Sequence, residues 1–167
     1  YLRLHDHVSW QKDFLRSKHI LLIPNIFFLS HLDFQADGKI IVGGEFTQFQ
    51  GLSQNRLIRL NTDGSKDASF NVLTGFDATV NNVVLQPDGK IIAGGYFMRY
   101  VNDSQNGIVR LNPDGSRDKT FDIFTGFGFA PSVTALGLQS DGKIIVGGDF
   151  TTYNAVTNNR IIRLNSD

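Results

Sequence analysis

Two acidic residues, Glu45 and Asp149, are the side chains of this sequence best placed for acid–base chemistry. Each follows a Gly-Gly pair and precedes a Phe, and Tyr96 holds the corresponding position in a third copy of the stretch. Glycosidases use two carboxylates that flank the bond they cleave. If the fold brings these positions to one rim, they predict either a carboxylate pair or a ligand-contacting surface that varies from copy to copy.

Aromatic residues lie close behind these positions, in polar loops. The loops are residues 47–54, 98–105 and 151–158, and they contain Phe49, Tyr100 and Tyr153. An aromatic ring beside Asn and Gln side chains can stack on a sugar or contact a protein, although polar loops are also common at plain solvated surfaces. Glu45, Tyr96, Asp149 and the three aromatic residues are therefore our ligand-face candidates.

Other familiar catalytic and metal-binding patterns are incomplete. His5, His7 and His19 do not have the spacing of a metal site. Beyond residue 31 the sequence contains no histidine for a Ser-His-Asp set. The stretches that begin at Asn61 and Asn112 place oxygen-bearing side chains at alternate positions, as calcium loops do, but they lack a bidentate Glu. We predict no catalytic residue, metal or cofactor, and we interpret these stretches as tight turns.

The elements that carry these residues recur along the chain. Residues 35–44 (QADGKIIVGG), 86–95 (QPDGKIIAGG) and 139–148 (QSDGKIIVGG) are near-copies. Two sets of landmarks are separated by 51 and then 53 residues: Asp37, Asp88 and Asp141, and Arg59, Arg110 and Arg163. The Gly-Gly pairs persist while the next residue changes, so the string GGEF at 43–46 is not read as a cyclase signature. Instead, it indicates glycines that a neighbouring group approaches too closely for a Cβ.

Each copy predicts two β-hairpins. In the second copy the strands are 80–86, 90–97, 107–112 and 116–122, and Asp-Gly turns join them in pairs. Consecutive apolar residues at 91–93 favour a sheet covered on both faces. Four-stranded units of about 50 residues describe propeller blades, whereas a linear β-solenoid usually has a shorter period. We therefore predict an all-β, β-propeller-like array of four-stranded antiparallel blades.

The chain holds about three blades' worth of repeat. We divide it into a divergent segment 1–28, repeat 1 at 29–79, repeat 2 at 80–132 and a truncated repeat 3 at 133–167. The first segment is either a degenerate half blade, since residues 2–14 align with 109–121 without a gap, or an amphipathic helix near 8–22. Propellers usually have four to eight blades. We therefore expect a longer parent chain or oligomerisation to close the ring.

Composition narrows the choice of partner. Sixteen basic and sixteen acidic residues give a formal net charge of zero, so the bulk electrostatics that draw proteins to nucleic acid are missing. The sequence has no cysteine, which excludes disulfides. An apolar run at 20–29 is about half the length needed to cross a bilayer and is broken by Pro24. We expect a protein or glycan partner, with no nucleic acid and no membrane span.

The repeated arginines lie on strands that are otherwise apolar. A buried guanidinium needs a partner. We predict that Arg59, Arg110 and Arg163 each meet an Asp or a set of main-chain carbonyls. Like the turn residues Asp37, Asp88 and Asp141, they are predicted to have a structural role.

The combined pattern resembles a known family. The units DGKIIVGG…RLIRLNTDGSKDASF…TGFD and DGKIIAGG…IVRLNPDGSRDKTF…TGF look like the bacterial delta-60 repeat, a β-propeller repeat that occurs in tandem in large, often surface-associated or secreted proteins. The similarity covers about residues 32–167 and supplies no catalytic residues. It implies a noncatalytic module at the cell surface or outside the cell, with an interaction or structural role. The alternatives are a carbohydrate-binding propeller and a carboxylate-dependent enzyme acting on glycans.

Overall fold

The computed structural model describes residues 29–128 and 132–166. These residues form fifteen β-strands and, within the described ranges, no helix. No helix of this part of the chain is long and apolar enough to cross a membrane. Our prediction for residues 1–28 lies outside the described residues.

The strands fall into three successive groups of five. The first group is β1 (Leu29–Phe34), β2 (Ile40–Gly44), β3 (Gln48–Phe49), β4 (Leu52–Ser53) and β5 (Leu57–Leu60). The second is β6 (Val80–Leu85), β7 (Ile91–Gly95), β8 (Arg99–Tyr100), β9 (Asp103–Ser104) and β10 (Ile108–Leu111). The third is β11 (Val133–Leu138), β12 (Ile144–Gly148), β13 (Thr152–Tyr153), β14 (Val156–Thr157) and β15 (Ile161–Leu164).

Each group builds one three-stranded antiparallel sheet and one short hairpin. The first sheet has the order β1-β2-β5, the second β6-β7-β10 and the third β11-β12-β15. The hairpins are β3-β4, β8-β9 and β13-β14. Because the register is the same in all three sheets, the residue that pairs with each repeated arginine is always an isoleucine: Ile41, Ile92 and Ile145.

The Asp-Gly stretches fold as tight turns. Between the first two strands of each sheet the glycines have φ of +82°, +84° and +82° at Gly38, Gly89 and Gly142. The preceding carboxylates each accept a 3.1 Å hydrogen bond from a backbone N–H two residues on, at Asp37, Asp88 and Asp141. Asp63 and Asp114 likewise accept 2.9 Å bonds from the N–H groups of Ser65 and Ser116. This is the geometry that turns of this kind require.

The predicted fourth strand is much reduced. Residues 116–122 contribute one isolated bridge, between Leu111 and Arg117, where a full strand was predicted. The Asp118 side chain accepts a 2.9 Å hydrogen bond from the N–H of Thr120 and bends the backbone there, so the strand does not continue. The loop 98–105, predicted as irregular, instead contains the short hairpin β8-β9.

The sheets pack face to face in chain order. On each sheet we call the side that meets the next sheet the forward face and the opposite side the backward face. Ile41 and Leu57, from the forward face of the first sheet, share a core with Val80, Val83 and other residues of the second. Ile92 and Ile108, from the forward face of the second sheet, share a core with residues of the third.

Burial on both faces accounts for the apolar runs. Ile91, Ile92 and Ala93 are each 0% exposed, which confirms the prediction of a doubly covered second strand.

Candidate functional site

The variable positions lie where the central strand of each sheet ends. Glu45, Tyr96 and Asp149 directly follow β2, β7 and β12, and all three are exposed. Backbone hydrogen bonds to the start of the first strand fix two of them: Tyr96 N–H donates to the Thr79 carbonyl at 3.0 Å, and Asp149 N–H donates to the Ser132 carbonyl at 2.8 Å. We call these three residues and the short hairpins that follow them the variable rim.

The glycines before the variable rim are required by close backbone approach. A Cβ added to Gly95 would lie 2.0 Å from the Thr79 carbonyl oxygen, and one added to Gly148 would lie 1.9 Å from that of Ser132. Contacts this short with backbone force a shift of the chain. The sequence-based interpretation of Gly-Gly as structural is confirmed at these two positions.

The charge at the rim differs between units. Asp149 forms an ion pair with Arg160, and both side chains are exposed. Arg56, the equivalent of Arg160 in the first unit, donates a 2.6 Å hydrogen bond to the Phe76 carbonyl. In the second unit Gly107 stands at that position. An exposed ion pair adds only about 0–1 kcal/mol, so this variation changes the chemistry of the surface more than the stability of the fold.

Two of the predicted ligand contacts belong to the core instead. Phe49 and Tyr100 are 3% and 2% exposed. Phe49 belongs to the apolar cluster of the first sheet, and Tyr100 belongs to the cluster between the first and second sheets. Neither ring can stack on a ligand in this arrangement, so the structure corrects that prediction.

The buried side chain of Tyr100 contacts both a core ring and the backbone. Its ring lies 4.8 Å from that of Phe76, measured between centroids. Its hydroxyl donates a hydrogen bond to the Gly115 carbonyl. Burial, and secondarily the charge of Asp114, raises the pKa of Tyr100 well above its usual value. The phenol therefore remains a hydrogen-bond donor.

Tyr153 occupies the same position in the third unit but is only partly buried. Its ring lies 5.1 Å from that of Phe127. Burial, and secondarily the Asp122 charge, raises its pKa, against a hydrogen bond with Asn154 that lowers it. Of the three predicted aromatic contacts in the loops, Tyr153 alone is partly exposed. With Glu45, Tyr96 and Asp149, it forms the part of the predicted ligand face that reaches solvent.

A groove between the first and second units was not predicted. It has a volume of about 440 Å³, and its lining includes Leu73, Val101, Asp103 and Arg117. Leu73 is 69% exposed and adopts a φ of +51°. Phe124, 51 residues later, is 76% exposed with a φ of +49°. The sequence does show an apolar residue before each Thr-Gly-Phe string, and this could have indicated the exposed side chains. A single sequence does not, however, reveal the left-handed backbone at such residues.

The first two repeated arginines, Arg59 and Arg110, are buried, and their guanidinium groups form hydrogen bonds and ring contacts. Arg59 Nε donates to the Asp67 carboxylate at 2.7 Å, and Arg110 Nε donates to that of Asp118 at 2.8 Å. Each guanidinium also lies over a Phe ring, 4.8 Å and 4.7 Å from the centroid. Arg163 differs, because it is exposed.

Each network also joins neighbouring sheets. Arg59 Nη1 donates to the Pro113 carbonyl at 2.7 Å, and Arg110 Nη1 donates to the Ser166 carbonyl, so each arginine reaches the backbone just after the last strand of the following unit. The sequence predicted an Asp or carbonyl partner, and these two arginines have both.

Two lysines that were not predicted, Lys39 and Lys90, complete the networks. Lys39 lies 3.0 Å from the Asp67 carboxylate, and Lys90 lies 2.9 Å from that of Asp118. The recurrence of Asp-Gly-Lys in all three copies was the signal that could have revealed them. Each buried carboxylate therefore has two cationic partners.

The carboxylates are held in their charged form. Burial by itself raises the pKa of Asp67. Hydrogen bonds from Ser69, Lys39 and Arg59 outweigh burial and hold that pKa well below its usual range. Burial likewise raises the pKa of Asp118, but hydrogen bonds from Lys90, Thr120 and Arg110 outweigh burial and hold this pKa well below its usual range.

Acid is therefore expected to destabilise the protein. An unfolded Asp has a pKa of about 3.9, so it binds a proton at a higher pH than Asp67 or Asp118 does in the fold. Each carboxylate stabilises the fold above that unfolded value, and this contribution is lost as the pH falls toward the folded-state pKa. Denaturant unfolding should show the free energy falling between about pH 5 and about pH 2. Asp118→Asn should flatten this dependence, and an unchanged slope in the variant would contradict the assignment.

Comparison with known proteins agrees with the repeat architecture. A search of curated proteins found no match. The family model described as "Domain of unknown function (DUF5122) beta-propeller" matches residues 35–70, 86–121 and 139–167. These three segments cover more than half of the chain, and each begins at the Gln before an Asp-Gly-Lys turn and includes the repeated arginine. The chain therefore belongs to the DUF5122 beta-propeller family.

Proposed function

We propose that this protein is a noncatalytic propeller module of the delta-60 type, bacterial and exported, that serves as an interaction or structural element. The observation that supports this proposal is that the residues shared by the units have structural roles, whereas the residues that vary between units are exposed. In the first two units the shared Arg, Asp and Lys residues form ion pairs within the unit, and the arginines also donate hydrogen bonds to the next unit. The variable residues Glu45, Tyr96 and Asp149 reach solvent. Such a scaffold presents a different surface at each unit.

The geometry at the rim favours recognition over catalysis. The charge of Asp149 is compensated by Arg160, and the pair is exposed. A glycosidase needs two carboxylates that are free to flank the bond it cleaves. Asp149 is instead committed to an ion pair with Arg160.

Turnover assays test the noncatalytic assignment. The full chain is expected to give no hydrolysis on panels of polysaccharides and esters. Hydrolysis that Glu45→Gln or Asp149→Asn abolishes would contradict the proposal and favour the glycan-active enzyme. A matched control is Asp88→Asn, which removes an exposed carboxylate in the turn between β6 and β7, at the opposite end of β7 from the variable rim.

Carbohydrate binding is the second candidate, and the accessible aromatics favour it. Tyr96 is 47% exposed, and Tyr153 is partly exposed. Aromatic rings bind sugars by stacking on their apolar faces. A glycan array is expected to show binding that Tyr153→Ala weakens about tenfold or more. Tyr100→Phe is the control, because that ring is buried.

A further inference from the structure

Each residue of the variable rim has a neighbour in its own unit, the residue that directly precedes the last strand of the sheet. In the second unit this neighbour is Gly107. We infer that Gly107 opens a subsite beside the Tyr96 ring, and that this subsite, together with Glu45 of the first unit, binds arginine side chains of a protein partner. This partner chemistry extends the interaction role proposed above and rests on that proposal.

Backbone hydrogen bonds place Gly107 directly beside Tyr96. Gly95 N–H donates to the Gly107 carbonyl at 3.0 Å, and Gly107 N–H donates to the Phe97 carbonyl at 2.9 Å. Gly107 is thus bonded to the residues on both sides of Tyr96. The same two bonds, with the same lengths, recur beside the variable residues of the first and third units. The three units therefore share one local backbone arrangement.

The direction of a side chain at this position is also shared. The backbone φ is +66° at Arg56, +85° at Gly107 and +65° at Arg160. A side chain at position 107 would therefore leave the backbone in about the direction that the two arginines take. In the third unit that side chain reaches the variable residue, because the Arg160 guanidinium forms an ion pair with Asp149.

Glycine at position 107 leaves the corresponding place beside Tyr96 free of an internal guanidinium. Tyr96 is 47% exposed, and in the part of the chain that the structure describes no cation lies over its ring. The negative face of a tyrosine ring attracts a cation, and arginine is the side chain that most often takes this place. A partner's arginine can thus lie in the second unit where the chain's own arginine lies in the third.

The three variable residues share an attraction for cations. Glu45 and Asp149 offer a carboxylate, and Tyr96 offers the face of its ring. Only the third unit supplies the cation from its own chain. In the first unit Arg56 donates a 2.6 Å hydrogen bond to the Phe76 carbonyl, and among the described residues Glu45 has no ion-pair partner. The rim of the first two units therefore complements positive charge from outside the chain.

The spacing of the two units selects an extended partner segment. Packed sheets lie about 10 Å apart, so we expect about this distance between the equivalent residues Glu45 and Tyr96. In a polyproline II segment, side chains three residues apart lie on the same side and are separated by about 9 Å. Two arginines with this spacing can reach the carboxylate and the ring together. A neutral sugar would leave the carboxylate without an ionic partner.

A pair of peptides tests the partner chemistry. One carries the segment Arg-Pro-Pro-Arg, and the other has citrulline in place of both arginines, which exchanges each guanidinium for a neutral urea of similar shape. The full chain is expected to bind the arginine peptide about tenfold or more tightly than the citrulline peptide in fluorescence anisotropy. This preference should weaken as the salt concentration rises, because salt screens exposed charges.

Substitutions at the subsite show where the peptide binds. Gly107→Arg should weaken binding of the arginine peptide about tenfold, because the added guanidinium occupies the subsite. The fold should tolerate this change, since arginines adopt positive φ at the equivalent positions. Tyr96→Ala should weaken binding similarly without any demand on the backbone, whereas Tyr96→Phe keeps the ring and should retain it. The matched control Asp88→Asn removes an exposed carboxylate at the other end of β7 and should leave binding unchanged.

Three results would overturn the arginine subsite. The first is equal affinity for the two peptides, and the second is binding that survives both Gly107→Arg and Tyr96→Ala. The third is equal weakening by Asp88→Asn, which would indicate diffuse attraction to surface charge. A glycan-array signal that Gly107→Arg abolishes, without any preference between the peptides, would likewise overturn it and assign the subsite to a sugar.

The noncatalytic role is tested separately. Hydrolysis of a glycan by the full chain would defeat that role and leave the comparison of the two peptides unaffected. Equal binding of the two peptides would defeat the arginine subsite and leave the turnover result unaffected.

Discussion

Replacing Arg110 with Met is expected to lower the free energy of unfolding by about 3 kcal/mol, because removing one partner of a buried ion pair leaves the other charge uncompensated. Asp118 would keep Lys90 but lose the guanidinium at 2.8 Å. The bond from Arg110 to the Ser166 carbonyl of the next unit would also be lost. Denaturant unfolding of the variant and the wild-type protein measures the difference.

Arg163→Met is the matched control for this substitution. The residue type and its place on the third strand of a sheet are the same, but Arg163 is exposed. Substitutions at exposed sites usually change stability by less than about 0.5 kcal/mol. Equal losses in the two variants would show that the buried network is not the cause. Unchanged melting of Arg110→Met together with lost ligand binding would show that the residue belongs to a binding site.

Gly95→Ala is expected to destabilise the protein by about 3 kcal/mol, which is at the upper end of the usual cost of overpacking. The added Cβ would lie 2.0 Å from the Thr79 carbonyl oxygen, and this contact is with backbone. This steric clash can be relieved only if the start of β6 moves away from the end of β7. The move would break the 3.0 Å hydrogen bond from Tyr96 N–H to the same carbonyl. Thermal and denaturant unfolding both report the loss.

Gly147→Ala serves as the comparison for Gly95→Ala. Its nearest contact, the Ala135 Cβ at 3.5 Å, is an ordinary van der Waals distance. We expect a change within about 0.5 kcal/mol. If Gly95→Ala proved equally mild, the Gly-Gly pair would not be a packing requirement, and its recurrence would need another explanation.

Much of the fold follows from local patterns in the sequence. Asp-Gly turns recur because an Asp side chain bonds the nearby backbone and glycine adopts positive φ at little cost. These preferences operate within three or four residues, so they are legible without knowing the neighbours. Consecutive isoleucines likewise predict a doubly covered strand, and Ile91 and Ile92 are both 0% exposed.

The candidate site was predicted less completely, for a physical reason. Glu45, Tyr96 and Asp149, chosen because they vary between the copies, are exposed. Phe49 and Tyr100 were assigned to the same surface because they lie in polar loops, yet both are core residues. Loop composition does not fix which way an aromatic side chain of a short hairpin points, and in this protein both rings lie in apolar clusters.

The sequence by itself determined the period, the turns and the need for partners at the buried arginines, because each depends on residues close together in the chain or on the cost of burying a charge. Only the tertiary structure decided that Lys39 and Lys90 share those partners and that the fourth strand shrinks to a single bridge. These outcomes depend on how one sheet sits against the next, which local patterns within a repeat do not reveal.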